Sequence, residues 1–285
     1  MFIIINKKQL STAFIGLFLI CLPILFKSGL HTSTPQEKKE SPYGQYLNWQ
    51  EVNQVMPKYA IFTVADLDSG LQFCVQRRGG YYHADVQPLT AADTAVMKKI
   101  YAGKWTWKRR AITVKMDDGI RIAASMNGMP HGQGAIEGNQ FDGHFCIHFA
   151  GSKTHGSKKI DPAHQIMIWK SANILDKKFK TLSEEKSIEV FFIALNQGDE
   201  AICTKIIASR DKDCWRVLRE IESIRINTMV RDDGMHTYRM NLQVKYKEAK
   251  EEINQTIDIN LSKKDMGWKI NPDALLSLHK IDIKK

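Results

Sequence analysis

The sequence predicts an α+β protein: an N-terminal membrane anchor, a β-rich domain over residues 45–178, and a second domain over 183–285 whose helices precede a meander of strands. Three observations carry that reading. Residues 9–26 are dense in Leu, Ile and Phe and carry no charge. Short alternating runs separated by glycine-containing turns fill residues 59–149. A basic stretch at 177–180 then gives way to a new helical period and four more strand-like runs. Hydrophobic residues make up 43% of the 285 and charged residues 25%, which excludes a wholly disordered or collagen-like chain. A single bilayer-length stretch excludes a polytopic membrane protein.

Residues 1–28 read as an uncleaved signal anchor. Lys7 and Lys8 precede the apolar stretch and Lys27 closes it, with no small-x-small cleavage site behind Phe26. Leu19 and Ile20 stand where a lipobox at Cys21 wants small residues. A cleaved signal peptide and a buried core helix are the alternatives. With the early lysines cytoplasmic, the chain is single-pass and its bulk extracytoplasmic. Residues 29–44 are a polar linker. Lys and Arg number 41 against 31 Asp and Glu, a net charge of +10 that favours polyanions. Outside the cell these are anionic wall polymers, and nucleic acid is not expected as a partner.

In the β-rich domain, residues 59–65 and 71–76 alternate like strands across Asp68-Ser69-Gly70. Thr90 and Asp93 have capping-box spacing ahead of a helix that Gly103 stops. Residues 111–116 and 120–126 form a hairpin around Asp118-Gly119. A glycine-rich loop follows, then a short strand at 144–149. Asp161-Pro162 opens a second helix as N-cap and N1 proline. These residues are expected to fold without the rest of the chain. In the second domain, Ile188, Phe191, Phe192 and Leu195 mark a helix beginning near Ser183, and strands are expected at 221–230, 235–246, 253–261 and 268–270. That element order, with its Gly-Trp-Lys-Ile ending, resembles the NTF2-like (cystatin-type) fold over residues 183–275. The resemblance implies a curved sheet around a helix and no catalytic role.

Six of the nine histidines lie between positions 83 and 164. On a strand at 144–149, alternation puts Phe145, Ile147 and Phe149 in a core and His144, Cys146 and His148 on the other face. A thiol flanked by imidazoles suits a cysteine nucleophile, because a nearby imidazolium favours the reactive thiolate. Five glycines from Gly128 to Gly143 would let backbone N–H groups approach a substrate carbonyl. A buried strand cysteine and a metal ligand are the other readings of Cys146. His83-x-Asp85 after the Gly79-Gly80 turn is a polar loop, an Asp-oriented histidine or a pair of zinc ligands. His155-Gly156 is a turn or closes the pocket, and His164 supports its helix. Trp105-Thr106-Trp107 with Lys108-Arg109-Arg110 is either a strand entry with a solvated basic edge or a surface where Trp107 stacks on sugars and Arg109 clamps carboxylates. Cys74 is expected in the core, and Cys203 and Cys214 could pair.

His131-Gly132, the glycine-rich loop and His144-Phe145-Cys146-Ile147 resemble the catalytic signature of the L,D-transpeptidases: an upstream His-Gly, then Ser/Thr-His-Gly-Cys-Ile/Val-Arg on a β-rich domain. The resemblance covers residues 59–170. It implies that Cys146 is the nucleophile, His144 the general base, and His131 a histidine near the thiol. Gly143 stands in place of Ser/Thr, Phe145 in place of Gly, and His148 where the substrate-orienting Arg is expected. Gly143, His148, Arg109, Trp107 and His155 are the residues expected around substrate. The chain is also similar to exported proteins of spore-forming Gram-positive bacteria that share His83-Ala84-Asp85 and residues 125–132 and 143–149.

The expectation is a membrane-anchored cell-wall enzyme that attacks a peptide carbonyl of peptidoglycan stems through Cys146 and needs no cofactor. A zinc-dependent peptidoglycan hydrolase, with His83, Asp85, His131 and His144 as ligands, is the alternative. A non-catalytic wall-binding module is the third.

Overall fold

The computed structural model describes residues 40–209, 211–232 and 235–279. The expected anchor, Cys21 and nearly all of the expected linker lie outside them. No helix among the described residues is long and apolar enough to cross a membrane.

The fold is α+β. Its first half begins with helix α1 (Trp49–Val55) and the strands β1 (Ile61–Asp66), β2 (Gln72–Gly79) and β3 (Ala84–Pro88). Helix α2 (Ala91–Ile100), strands β4 (Thr106–Lys115), β5 (Arg121–Gly128) and β6 (Phe145–His148), and helix α3 (Pro162–Ser171) follow. The six strands close into a barrel in the order β1-β2-β3-β6-β5-β4, antiparallel throughout. Phe62, Val64, Phe73, Val75, Ile112, Val114, Ile122 and the three apolar residues of the β6 segment fill it. Closure removes the sheet edges that would otherwise expose unpaired backbone.

Local signals account for most of these elements. Thr90 Oγ1 accepts from Asp93 N, and Asp93 Oδ2 accepts from Thr90 N, a complete capping box. Asp161 caps α3 by accepting from Ala163 N and His164 N. β3 was expected as a polar loop. It is a strand because β2 and β6 pair with it on either side.

The second half runs through α4 (Leu175–Phe179), α5 (Glu184–Gln197), α6 (Glu200–Ile206) and α7 (Lys212–Arg219) to strands β7 (Ile221–Arg231), β8 (Thr237–Tyr246), β9 (Ile253–Lys264) and β10 (Gly267–Ile270), and then α8 (Pro272–Leu276). The four strands make one antiparallel sheet, β10-β9-β8-β7. The apolar face of α5 packs on alternate residues of β8, from Tyr238 to Tyr246, in a second core. Ile166, Met167 and Leu175, from the segment expected to fold alone, belong to that second core. Lys170 bonds Asp199 (2.5 Å), and the backbone N–H of Arg109 donates to Gln197 Oε1 (2.7 Å). Residues Ser41–Lys285 accordingly form one compact unit. Cys203 and Cys214 are both free and buried, while Cys74, expected in the core, is only half-buried.

Candidate functional site

The site lies where β3 and β6 pair. Asp85 and Cys146 are cross-strand partners in that register. Period-two alternation sends Phe145, Ile147 and Phe149 into the barrel core and leaves Cys146 and His148 outside it. The glycine-rich loop returns to β6 through a two-way bridge: His131 N donates to His144 O (2.9 Å), and His144 N donates to His131 O (2.8 Å). That approach needs glycine. Gly143 sits at φ +101°, and a Cβ there would meet His131 O at 2.5 Å. Gly132 sits at φ +62°, where a Cβ would strike the His144 ring. Gln87 Oε1 and the Asn139 side chain hold the rest of the loop.

Cys146 Sγ lies 3.2 Å from His131 Nε2. His131 Nδ1 donates to the Met129 carbonyl (2.8 Å), which leaves the Nε2 lone pair facing the thiol. The sequence reading placed His144 in this role. The structure turns it elsewhere: its Nδ1 donates to Gln133 O (3.1 Å), and its Nε2 lies 3.8 Å from Asp85 Oδ1.

The flanking imidazoles do not make the thiol acidic, as had been expected. Cys146 is 3% exposed. Burial, and then the Asp85 carboxylate, push its thiol far up, against smaller opposing effects of Asn127 and Arg109. Burial also lowers His131. The resting pair is therefore a neutral thiol and a neutral imidazole.

Around Asp85 a second cluster forms. His83 Nε2 is 3.2 Å and His155 Nε2 3.0 Å from Asp85 Oδ1, and the two nitrogens are 2.9 Å apart. Burial raises Asp85, but the hydrogen bond and charge of His83, with His155 and His144, outweigh it and hold the carboxyl below its usual range. His83 Nδ1 donates to Lys153 O (2.6 Å).

The remaining expected residues have other partners. His148, expected at substrate, is 2% exposed and stacked between His83 (4.3 Å) and His164 (3.8 Å). His164 in turn reaches Ser125 Oγ (2.9 Å). Burial lowers both His148 and His164 well below the imidazole range. Arg109, expected to clamp a carboxylate of substrate, is paired to Asp161 (2.7 Å). Trp107 is 48% exposed, with its ring 5.0 Å from that of His131. A groove of about 570 Å³ begins there, lined by Trp107 and Met129 of the barrel and by Asn196, Glu222 and Arg225 of the second half. Sequence reasoning missed Asn127, Met129 and Arg225. A backbone carbonyl and a residue from a distant strand carry no sequence signal of their own.

Compared with known proteins, the chain matches no family model and no curated sequence.

Proposed function

We propose that the protein is an extracytoplasmic cell-wall enzyme that transfers or hydrolyses an acyl group at a peptide carbonyl of peptidoglycan, with Cys146 as nucleophile and His131 as base. The observation that carries it is the chain Cys146 Sγ, His131 Nε2, His131 Nδ1, Met129 O, with spacings of 3.2 and 2.8 Å. Nucleophile, base and orienting group stand in line. The net charge of +10 and the expected anchor support the wall as location. The likeness of residues 59–170 to L,D-transpeptidases and of 183–275 to NTF2-like domains belongs to the same proposal.

In this reading, Sγ bonds to the carbonyl carbon while the thiol proton passes to His131 Nε2. The C–N bond then breaks, and the departing amine takes that proton. The thioester is opened by an acceptor amine or by water, whose proton returns through His131 to the thiol. Because both partners rest neutral, proton transfer accompanies attack instead of preceding it. The groove beside Trp107 gives the substrate a path to His131, and the second half of the chain supplies one wall of it.

Intact-mass analysis of the full chain after incubation with wall peptides tests the proposal. A covalent adduct is expected in the wild type and its loss in Cys146→Ser. Turnover by Cys146→Ser at the wild-type rate would refute it.

A further inference from the structure

The geometry points to a divalent transition-metal site formed by His83, Asp85 and His155, with Cys146 as fourth ligand, whose occupancy withdraws the thiol from catalysis. The site itself stands on geometry alone; the regulatory half rests on the thiol reading above.

His83 Nε2, Asp85 Oδ1 and His155 Nε2 form a triangle with edges of 2.9, 3.0 and 3.2 Å. Tetrahedral ligands at about 2.0–2.1 Å from zinc stand about 3.3 Å apart, so this triangle is one face of such a site, slightly contracted. The Cys146 sulfur completes a set of four donors that all lie within 4.8 Å of one another.

Three features show that these donors are available to an ion. The Lys153 carbonyl holds the Nδ1 proton of His83 and leaves Nε2 as a lone pair directed at the cluster. This is the outer-ligand arrangement that orients metal-binding histidines. Asp85 Oδ1 is buried and has no well-directed hydrogen bond, despite three imidazoles within 3.8 Å. The frame is also rigid. His83 and Asp85 are two apart at the start of β3, and Cys146 is the cross-strand partner of Asp85. Only His155 comes from a loop, and at 47% side-chain exposure it offers an ion a way in.

Two imidazoles, one carboxylate and one thiolate suit zinc or cobalt(II), and not magnesium or calcium. Binding would release the Cys146 proton to solvent and engage the sulfur lone pair that otherwise attacks the carbonyl. With four protein ligands the ion has no open position, so it blocks the reaction instead of assisting it.

The test is titration of chelator-treated full-length protein with Co²⁺, read by absorbance, bound-metal analysis and activity on wall peptides. One equivalent is expected to bind, with a sulfur-to-cobalt charge-transfer band that Cys146→Ser lacks. Activity should fall at least tenfold as the band appears and return with chelator. His155→Ala should bind Co²⁺ at least tenfold more weakly, and Asp85→Asn likewise. If either variant fails to fold, the wild-type band and stoichiometry still decide. Absence of binding overturns the site and leaves the thiol reading standing. Binding without the charge-transfer band removes Cys146 from the ligand set and overturns the proposal. Binding with the band but no thiol-dependent activity, with or without metal, overturns the enzyme reading and leaves the site. Activity that requires metal overturns the inhibitory role and makes the centre that of a metal-dependent hydrolase.

Discussion

Lowering the pH from 7.5 to 5.5 in the presence of a chelator is expected to cost the fold about 3 kcal/mol, mostly through His148 and His164. Each is 2% exposed, the two rings are stacked 3.8 Å apart, and burial holds both well below the usual imidazole range. In the unfolded chain they titrate near 6.5, so below that value the unfolded state binds more protons than the folded one. For a group whose folded pKa is depressed, stability is full above the unfolded pKa and drains away as pH falls below it. One such histidine loses about 1.4 kcal/mol by one unit below 6.5, and two lose about 3. Urea denaturation midpoints at pH 7.5, 6.5 and 5.5 measure it. His164→Gln should halve the slope below pH 6. A flat profile, or the full slope persisting in that variant, would refute the neutral stacked pair.

In the resting protein, Cys74 should react with iodoacetamide at pH 7 before Cys146 does, because Cys146 is buried and its thiol is pushed up; mass mapping that finds Cys146 first would mean a thiolate instead of a neutral pair. Gly143→Ala combines a left-handed backbone with a Cβ 2.5 Å from His131 O, so a loss of about 2–3 kcal/mol is expected in thermal melts, and a change under about 0.5 kcal/mol would contradict it. A fragment of residues 45–178 should fail to unfold cooperatively, since Ile166, Met167 and Leu175 lose the core that buries them. A sharp circular-dichroism transition from that fragment would show the two halves to be independent.

The sequence by itself determined the features that depend on near neighbours in the chain. The capping box at Thr90, the cap at Asp161, the turn at Asp118-Gly119 and the alternation through Cys146 are written in residues a few positions apart. Each is satisfied by a local hydrogen bond or by the pleat of a strand. That Cys146 would meet histidines followed from the same alternation. Which histidine it meets did not. His144 is two residues away, yet its ring is turned to the Gln133 carbonyl, while the loop bridge at Gly132 and Gly143 carries His131 to the sulfur.

Tertiary structure alone decided the rest. His148 has the right parity to line a pocket, but His83 and His164 cover it on both faces. Arg109 reads as a free cation until Asp161, 52 positions on, takes its guanidinium. His155 joins His83 across 72 positions only because β6 pairs with β3 and the following loop folds back. Such meetings depend on the closure of the barrel. Closure is set by the sum of many apolar contacts spread along the chain, and no single motif encodes that sum.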